Sequence, residues 1–196
     1  MFSSRLWNLF IDSFPKMFIR GLTVTIPLTA IAFSLAMVIA VIVALVQFAN
    51  IKVLKQICRF YIWIFRGTPL LVQLFIVFFG LMNVGLVLEP FLAAVIVFAL
   101  NEGAYGAETV RASLESVPSG QLEAGQCAGL SYLQTIFRIV LPQAMRTAFP
   151  SLFNALISML KDTSLAATIT VTEMFKVSQQ IVARTYEPLL LYLEVG

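Results

Sequence analysis

The chain has 196 residues, 60% of them hydrophobic and only 12% charged, with a formal net charge of +3 and a mean hydropathy of +0.93. A soluble domain carries about 45–50% apolar and about 25% charged residues, so this composition excludes a single soluble core and implies a polytopic membrane protein. Its lysines and arginines are scattered between apolar runs, and the absence of any basic block argues against nucleic-acid binding.

Phe2, Leu6, Leu9, Phe10 and Phe14 stand near helical spacing, which predicts a short interfacial helix over about 1–16. No charge occurs from Gly21 to Ile51. Since about 20 apolar residues cross the hydrocarbon core as helix, a first span is expected over about 21–46. This run is too long for a secretory signal's apolar region of about 7–15 residues, and no small-x-small site follows it. Pro27 falls near its start, where proline is best tolerated.

A loop with Lys52, Lys55 and Arg59 leads to a second span over about 60–82. It passes Arg66-Gly67-Thr68-Pro69 and ends around Gly80 and Gly85. Pro90 opens a third span, about 90–112, which contains Asn101, Glu102 and Tyr105.

A polar loop over about 115–140 follows. Ser116 and Pro118 suit a helix start there, Gly129 suits a left-handed C-terminal cap, and Ser131 with Gln134 forms a capping-box pattern. A fourth span over about 141–160 contains Arg146, Pro150 and Asn154. Residues 161–184 read as a polar, Thr-rich connection. The last apolar stretch, about 186–196, is shorter than a span. The expected fold is therefore all-α and integral to the membrane, with five spans and the last incomplete.

Lys52, Lys55, Arg59 and Arg66 flank the first and second spans, whereas the segment between the second and third carries no Lys or Arg. The positive-inside rule puts the basic loop in the cytoplasm. That orientation leaves the N-terminus outside and the 115–140 loop inside, although Arg5, Lys16 and Arg20 weigh against it.

Three groups of residues carry candidate chemistry. The loop holds Gln121, Glu123, Ala124 and Gly125, small and polar residues that suit either the close approach of a partner or an ordinary capped turn. Glu102 lies twelve residues after Pro90, about 18 Å along the helix and hence near the bilayer centre. An ionisable group there marks a pathway or an internal pair, with Tyr105 or Arg66 as the partner. Asn101 and Tyr105 could line the same cavity or bind helix to helix.

Lys161-Asp162 could hold both charges of a free amino acid, or could snorkel and cap. Glu108 and Arg111, three apart, read as a local ion pair, and Arg66, Gly67 and Pro69 as a structural bend. No metal site is expected, since histidine is absent and Cys58 and Cys127 form no CxxC pair. No G-x-x-x-x-G-K-[ST] loop occurs either, so any nucleotide chemistry belongs to another chain.

Glu123-Ala124-Gly125, Gly129 and Ile139-Val140-Leu141-Pro142 resemble the E-A-A, three residues, G, nine residues, I-x-L-P signature of permease subunits in binding-protein-dependent ABC importers. Gly125 replaces the second alanine. Phe65-Arg66-Gly67-Thr68-Pro69, Asn101-Glu102-Gly103-Ala104-Tyr105, Glu108 with Arg111, and Lys161-Asp162-Thr163-Ser164-Leu165 resemble the polar amino-acid branch of that family. The likeness spans about residues 20–190.

It implies a type I importer permease in the bacterial inner membrane, with Glu123 to Gly129 as the coupling helix that sits in a groove of the ATPase. It also implies an ATPase dimer that binds ATP and Mg, an extracellular or periplasmic amino-acid-binding protein, and a second permease copy or a similar permease. The rival readings are an importer for an opine, a peptide or another small polar solute, and, in another class, a stand-alone channel or a membrane enzyme.

Overall fold

Backbone N–H and C=O groups in lipid have no water to bond, so an apolar chain satisfies them within helices. The computed structural model describes residues 4–49 and 52–196, and all regular structure among them is helical. Met1 and Phe2 of the expected interfacial segment lie outside the described residues.

The order is α1 Ser4–Arg20, a π turn Gly21–Thr25, α2 Ile26–Phe48, α3 Lys52–Gly67, α4 Leu70–Phe75, a π turn Ile76–Gly80 and α5 Leu81–Asn83. There follow α6 Pro90–Glu115, α7 Gly120–Cys127, α8 Tyr132–Thr135, a π turn Ile136–Val140 and α9 Leu141–Asp162. A 3-10 segment Thr163–Ile169, α10 Met174–Thr185 and α11 Pro188–Val195 complete the chain.

Among the described residues two helices, Ser4–Phe48 and Pro90–Glu115, are long and apolar enough to cross a membrane, and the broken pair Lys52–Gly67 and Leu70–Asn83 would make a third. The fourth expected span is α9, long enough in residues but interrupted by Arg146 and ending in Lys161 and Asp162.

Three expectations need correction. The interfacial segment is not a separate helix, because the chain runs helical from Ser4 through to Phe48. A ladder of stacked rings, Trp7–Phe10–Phe14–Phe18, helps carry it past Lys16. The basic segment between the first two spans is not a loop but α3, and the helix begins at Lys52 rather than near Phe60. The second span is not one rod, since α3 stops at Gly67 and Thr68-Pro69 separates it from α4; the residue before a proline is pushed out of the helical region. The 161–184 connection, read only as polar and Thr-rich, is itself helical, with a 3-10 segment and a twelve-residue helix, α10.

Prolines explain two of the three π turns. Pro27 and Pro142 each stand at the second position of the α-helix that follows a π turn. A proline removes one N–H and crowds the carbonyl four residues back. Widening the preceding turn relieves both effects without ending the helix.

The chain divides into two compact units. The first comprises Met1–Ala32, Leu71–Val97 and Ser158–Gly196. Within it, fully buried Ser13 on α1 lies 2.8 Å from the Glu194 carboxylate on α11. The Met174 N–H of α10 donates to Thr25 Oγ1 at 3.3 Å. Leu92 N–H donates to Glu89 at 3.0 Å, so an acidic cap precedes Pro90 at the start of α6.

The second unit comprises Phe33–Leu70 and Phe98–Ile157. Ala36, Ala40 and Ala44 form a fully buried stripe of small residues along α2. Gly106 of α6 lies against it so closely that an added Cβ would sit 3.0 Å from that of Ala40, and one on Gly103 would sit 2.8 Å from Ile39. Small residues at such spacing let membrane helices approach backbone to backbone. Gly103 and Gly106 are therefore packing residues.

Candidate functional site

The candidate coupling loop is built from its caps. Helix α7 ends at Cys127, and Gly129 then takes φ +78°, a left-handed conformation that favours glycine. Leu130 N–H donates to Gly125 C=O at 3.0 Å and Gly129 N–H to Gln126 C=O at 2.9 Å. Together these bonds close a full Schellman motif. The chain next enters α8 through a capping box in which Gln134 N–H donates to Ser131 Oγ and Ser131 N–H donates to the Gln134 side chain. The expected Gly129 cap and Ser131/Gln134 box are both present. The expected helix start at Ser116 and Pro118 is not: α7 begins at Gly120, and its N-cap, Ser119, makes no side-chain cap bond. Ser116 instead donates to Ser113 C=O just beyond α6.

Gly125 is the one buried residue of α7. Its neighbour is Thr135, which is fully buried and donates to Ser131 C=O at 3.0 Å. Val110, Leu114, Ile136, Val140 and Ala144 form the apolar core beneath, against which Leu122 and Leu141 pack. Gln143 donates to the Gln121 side chain at 3.4 Å, tying α9 to α7. With its base fixed, the elbow presents Glu123, Ala124, Gln126 and Gly129 to the outside, and Pro142 is exposed as well. Tyr132, Leu133 and Phe137 extend this face as exposed apolar side chains.

The polar residues of α6 form a second constellation in the same unit. Asn101 Nδ2 donates to the Phe65 carbonyl near the end of α3 at 3.2 Å, and Tyr61 donates to Leu100 C=O at 2.5 Å. Asn101 thus joins helix to helix where a pathway role was also open. The Arg66 guanidinium lies 5.1 Å from the Tyr105 ring centroid and 3.9 Å from Glu108. Arg111 bridges Glu108 at 2.8 Å and Glu115 at 2.7 Å, and Gln47 reaches Glu108 at 3.5 Å. The local pair expected from spacing is therefore the centre of a longer ionic chain, to which Arg66 adds a clamp on α3 just before the Gly67-Thr68-Pro69 break. Glu102, half-buried, lies on the same helix.

Lys161 and Asp162 belong to the other unit. Lys161 lines a cavity of about 640 Å³ together with Thr25, Ser164, Glu173, Phe175 and Tyr192. Asp162 closes α9 beside it and is exposed. Sequence reasoning missed Glu173. It is 2% exposed and caps α10, accepting the N–H of Phe175 at 2.8 Å and of Lys176 at 2.5 Å. Burial pushes its carboxyl above the usual carboxylate range, against the pull of those two N–H groups. The available signal was an acidic residue directly before an amphipathic run.

A buried-based, outward-facing elbow beside apolar spanning helices is the arrangement expected of an importer permease. Residues 36–192 match the family described as the binding-protein-dependent transport system inner membrane component. The chain belongs to this family. The L-cystine transport system permease protein TcyB of Bacillus subtilis (strain 168) is 45% identical over 191 residues, which cover 97% of this chain and 82% of that relative. The nopaline transport system permease protein NocM of Agrobacterium fabrum is 36% identical, over 96% of this chain and 82% of its own length.

Among solved structures, an amino acid ABC transporter superposes with a TM-score of 0.86 at 33% identity, covering 95% of this chain and 87% of its own. The MetNI methionine ABC transporter superposes at 0.76 with 18% identity, over 91% of this chain and 86% of its own, a likeness of fold alone. The protein is accordingly an all-helical inner-membrane permease component of the polar amino-acid branch of ABC importers, a transport subunit.

Proposed function

We propose that this permease imports polar amino acids and is driven through the elbow at Glu123–Pro142 by a separate ATPase dimer that binds ATP and Mg. The observation that carries the reading is the elbow itself. A Schellman cap, a capping box and a glycine-tight base hold it rigid, while Glu123, Ala124 and Gly129 are left open to a partner. A rigid lever transmits a push that a mobile loop would absorb, and rocking of packed helices then alternates access to the cargo. One chain carries too few spans to enclose a pathway, so a second copy or a similar permease completes it, and a soluble binding protein delivers the cargo.

Glu102, as receiver of an ammonium group, and Lys161-Asp162, at a cavity edge of the other unit, are each assigned by themselves to the cargo path. Tyr105 and Asn101 hold the helix that carries Glu102. Cystine, arginine, octopine and nopaline, named for relatives of this chain, share an amino-acid core, which supports amino-acid cargo over an unrelated solute. The cavity of about 640 Å³ that Lys161 shares with Glu173 has room for one such molecule. The elbow is assigned to the cytoplasmic side and the N-terminus to the outside. In support, Lys55 and Arg59 of the basic segment share a cavity with Glu115 at the end of α6, directly before the elbow.

The test is uptake by the complete complex in proteoliposomes, with cystine, arginine and an opine as competing cargoes. Glu123→Arg should abolish cargo-stimulated ATP hydrolysis in a permease that still folds. Glu102→Gln should lower uptake about tenfold or more while leaving basal hydrolysis intact. Normal coupling in the first variant removes the elbow from the mechanism. Unchanged uptake kinetics in the second removes Glu102. Solute flux through the permease alone would make it a channel.

A further inference from the structure

Helix α9 has three faces. Ala144, Ala148 and Leu152 are buried in the core of the second unit. Phe149 and Phe153, 65% and 51% exposed, stack with ring centroids 6.2 Å apart on a second, apolar face. The third face is polar. Gln143, Thr147, Pro150 and Asn154 follow one another at i, i+4, i+7 and i+11, a single stripe at helical spacing with Ser151 on its flank. Gln143 is half-buried and the other four are exposed.

This face carries hydrogen-bonding groups that the chain leaves open. The Asn154 amide has two donors and an acceptor oxygen, and among the described residues neither it nor Ser151 makes a side-chain hydrogen bond. Pro150 has no N–H to offer the Arg146 carbonyl one turn before it. Thr147 is satisfied inside the helix, donating to Gln143 C=O at 3.3 Å. Gln143 donates to Ile139 C=O at 3.0 Å and to Gln121 of the elbow at 3.4 Å. The stripe therefore starts at the elbow and runs into the span. Asn154 lies twelve residues after Pro142, about 18 Å along the helix. Hydrocarbon at that depth supplies no partner for an amide, and a proline in a spanning helix is tolerated where water or a neighbouring helix answers the group it frees.

Water fits this face better than a second helix does. Where α2 and α6 meet, Ala40 and Gly106 make the contact, small residues that let membrane helices approach closely. The α9 stripe holds instead a branched amide, a proline ring and hydroxyls. Its side chains are also uncharged, so a passing zwitterion meets donors and acceptors that hold it weakly and release it.

We propose that the Gln143–Asn154 face of α9 lines a water-filled section of the cargo path that opens on the side of the elbow. The proposal rests on the reading of the chain as an amino-acid importer, and it adds Thr147, Ser151 and Asn154 to the residues that the cargo passes.

The experiment places single cysteines in a Cys58→Ser/Cys127→Ser parent, assembled as the complete complex in nanodiscs with ATP turning over. A charged, membrane-impermeant methanethiosulfonate reports which thiols meet water, because the thiolate is the reacting form and an apolar setting suppresses it. Thr147→Cys and Asn154→Cys should be modified about tenfold faster or more than Phe149→Cys and Phe153→Cys. Modification of Asn154→Cys should also stop uptake of labelled cystine, arginine and opine in proteoliposomes, measured after the reagent is removed. Thr147→Cys carries the same test if Asn154→Cys does not fold. Equal rates on the two faces overturn the proposal. A disulfide between two copies of Asn154→Cys, without modification by the reagent, assigns the stripe to the contact between copies and also overturns it. Uptake that continues after complete modification places the water off the cargo path, with the same consequence. A parent complex that moves none of the three cargoes counts against the import reading alone, and the modification rates still decide what the face meets.

Discussion

Gly125 and Thr135 touch so closely that no side chain fits between them. A Cβ built on Gly125 would overlap Thr135 Cγ2 and lie 2.6 Å from its hydroxyl. The family signature has alanine at this place, and the substitution reads at first as one small residue for another. In this chain the glycine is required, because a β-branched residue fills the space. Gly125→Ala should destabilise the protein by about 1–3 kcal/mol, the usual range for overpacking, and should impair coupling. Adding Thr135→Ala should recover much of the loss. Thermal melting of the two variants in detergent checks this, and a single variant as stable as wild type would contradict the contact.

Gly129 should tolerate substitution differently. Nothing lies within 4 Å of its notional Cβ, so space is not the constraint; its φ of +78° is. Gly129→Val should cost about 1–2 kcal/mol for the left-handed backbone, whereas Gly129→Asn should cost less. The ranking Gly, then Asn, then Val in melting temperature is the expected result.

The ionic chain on α6 should show coupling where it is least exposed. Glu108 and Arg111 keep 25% and 30% of their side-chain surface, so solvent screens the pair only in part. A double-mutant cycle with Glu108→Gln and Arg111→Gln should give a coupling energy of about 1 kcal/mol. The same cycle on Lys16 and Asp12, 57% and 68% exposed, should give about 0.3–0.5 kcal/mol, as for exposed helix pairs. Equal values would show that burial does not strengthen the α6 pair.

Glu173 should make stability depend on pH. Its carboxyl is raised in the folded protein, so the folded state binds the proton more tightly than the unfolded chain does. The resulting stabilisation is complete below the unfolded carboxylate range, near pH 4. It is lost as pH rises through the higher folded value. Glu173→Gln should remove this dependence while keeping an acceptor for the α10 N–H groups. Melting curves from pH 4 to 8 compare the two, and parallel profiles would contradict the assignment.

Much of the elbow was legible in the chain itself. Gly129, Ser131 and Gln134 act on residues within a few positions, so their roles follow from local stereochemistry and spacing. The Glu108–Arg111 pair was legible for the same reason, being one helical turn long. The expected start at Ser116 and Pro118 failed because α6 continues to Glu115 and its own C-terminal turn uses Ser116. The basic segment reads as a loop because its strip of lysine and arginine hides a helix, α3, whose other faces are apolar. Glu173 went unseen because its weight comes from burial, which spacing does not report.

By itself, the chain determined the class of protein, the Gly129 cap and the Ser131/Gln134 capping box of the elbow. Those properties depend on summed hydropathy and on neighbours a turn away. Only the tertiary structure decided that Gly125 must stay glycine against Thr135, that Asn101 holds the Phe65 carbonyl, and that Arg66 joins Glu108. Each of these depends on two segments meeting, and distance in space is not encoded in the identity of either residue alone.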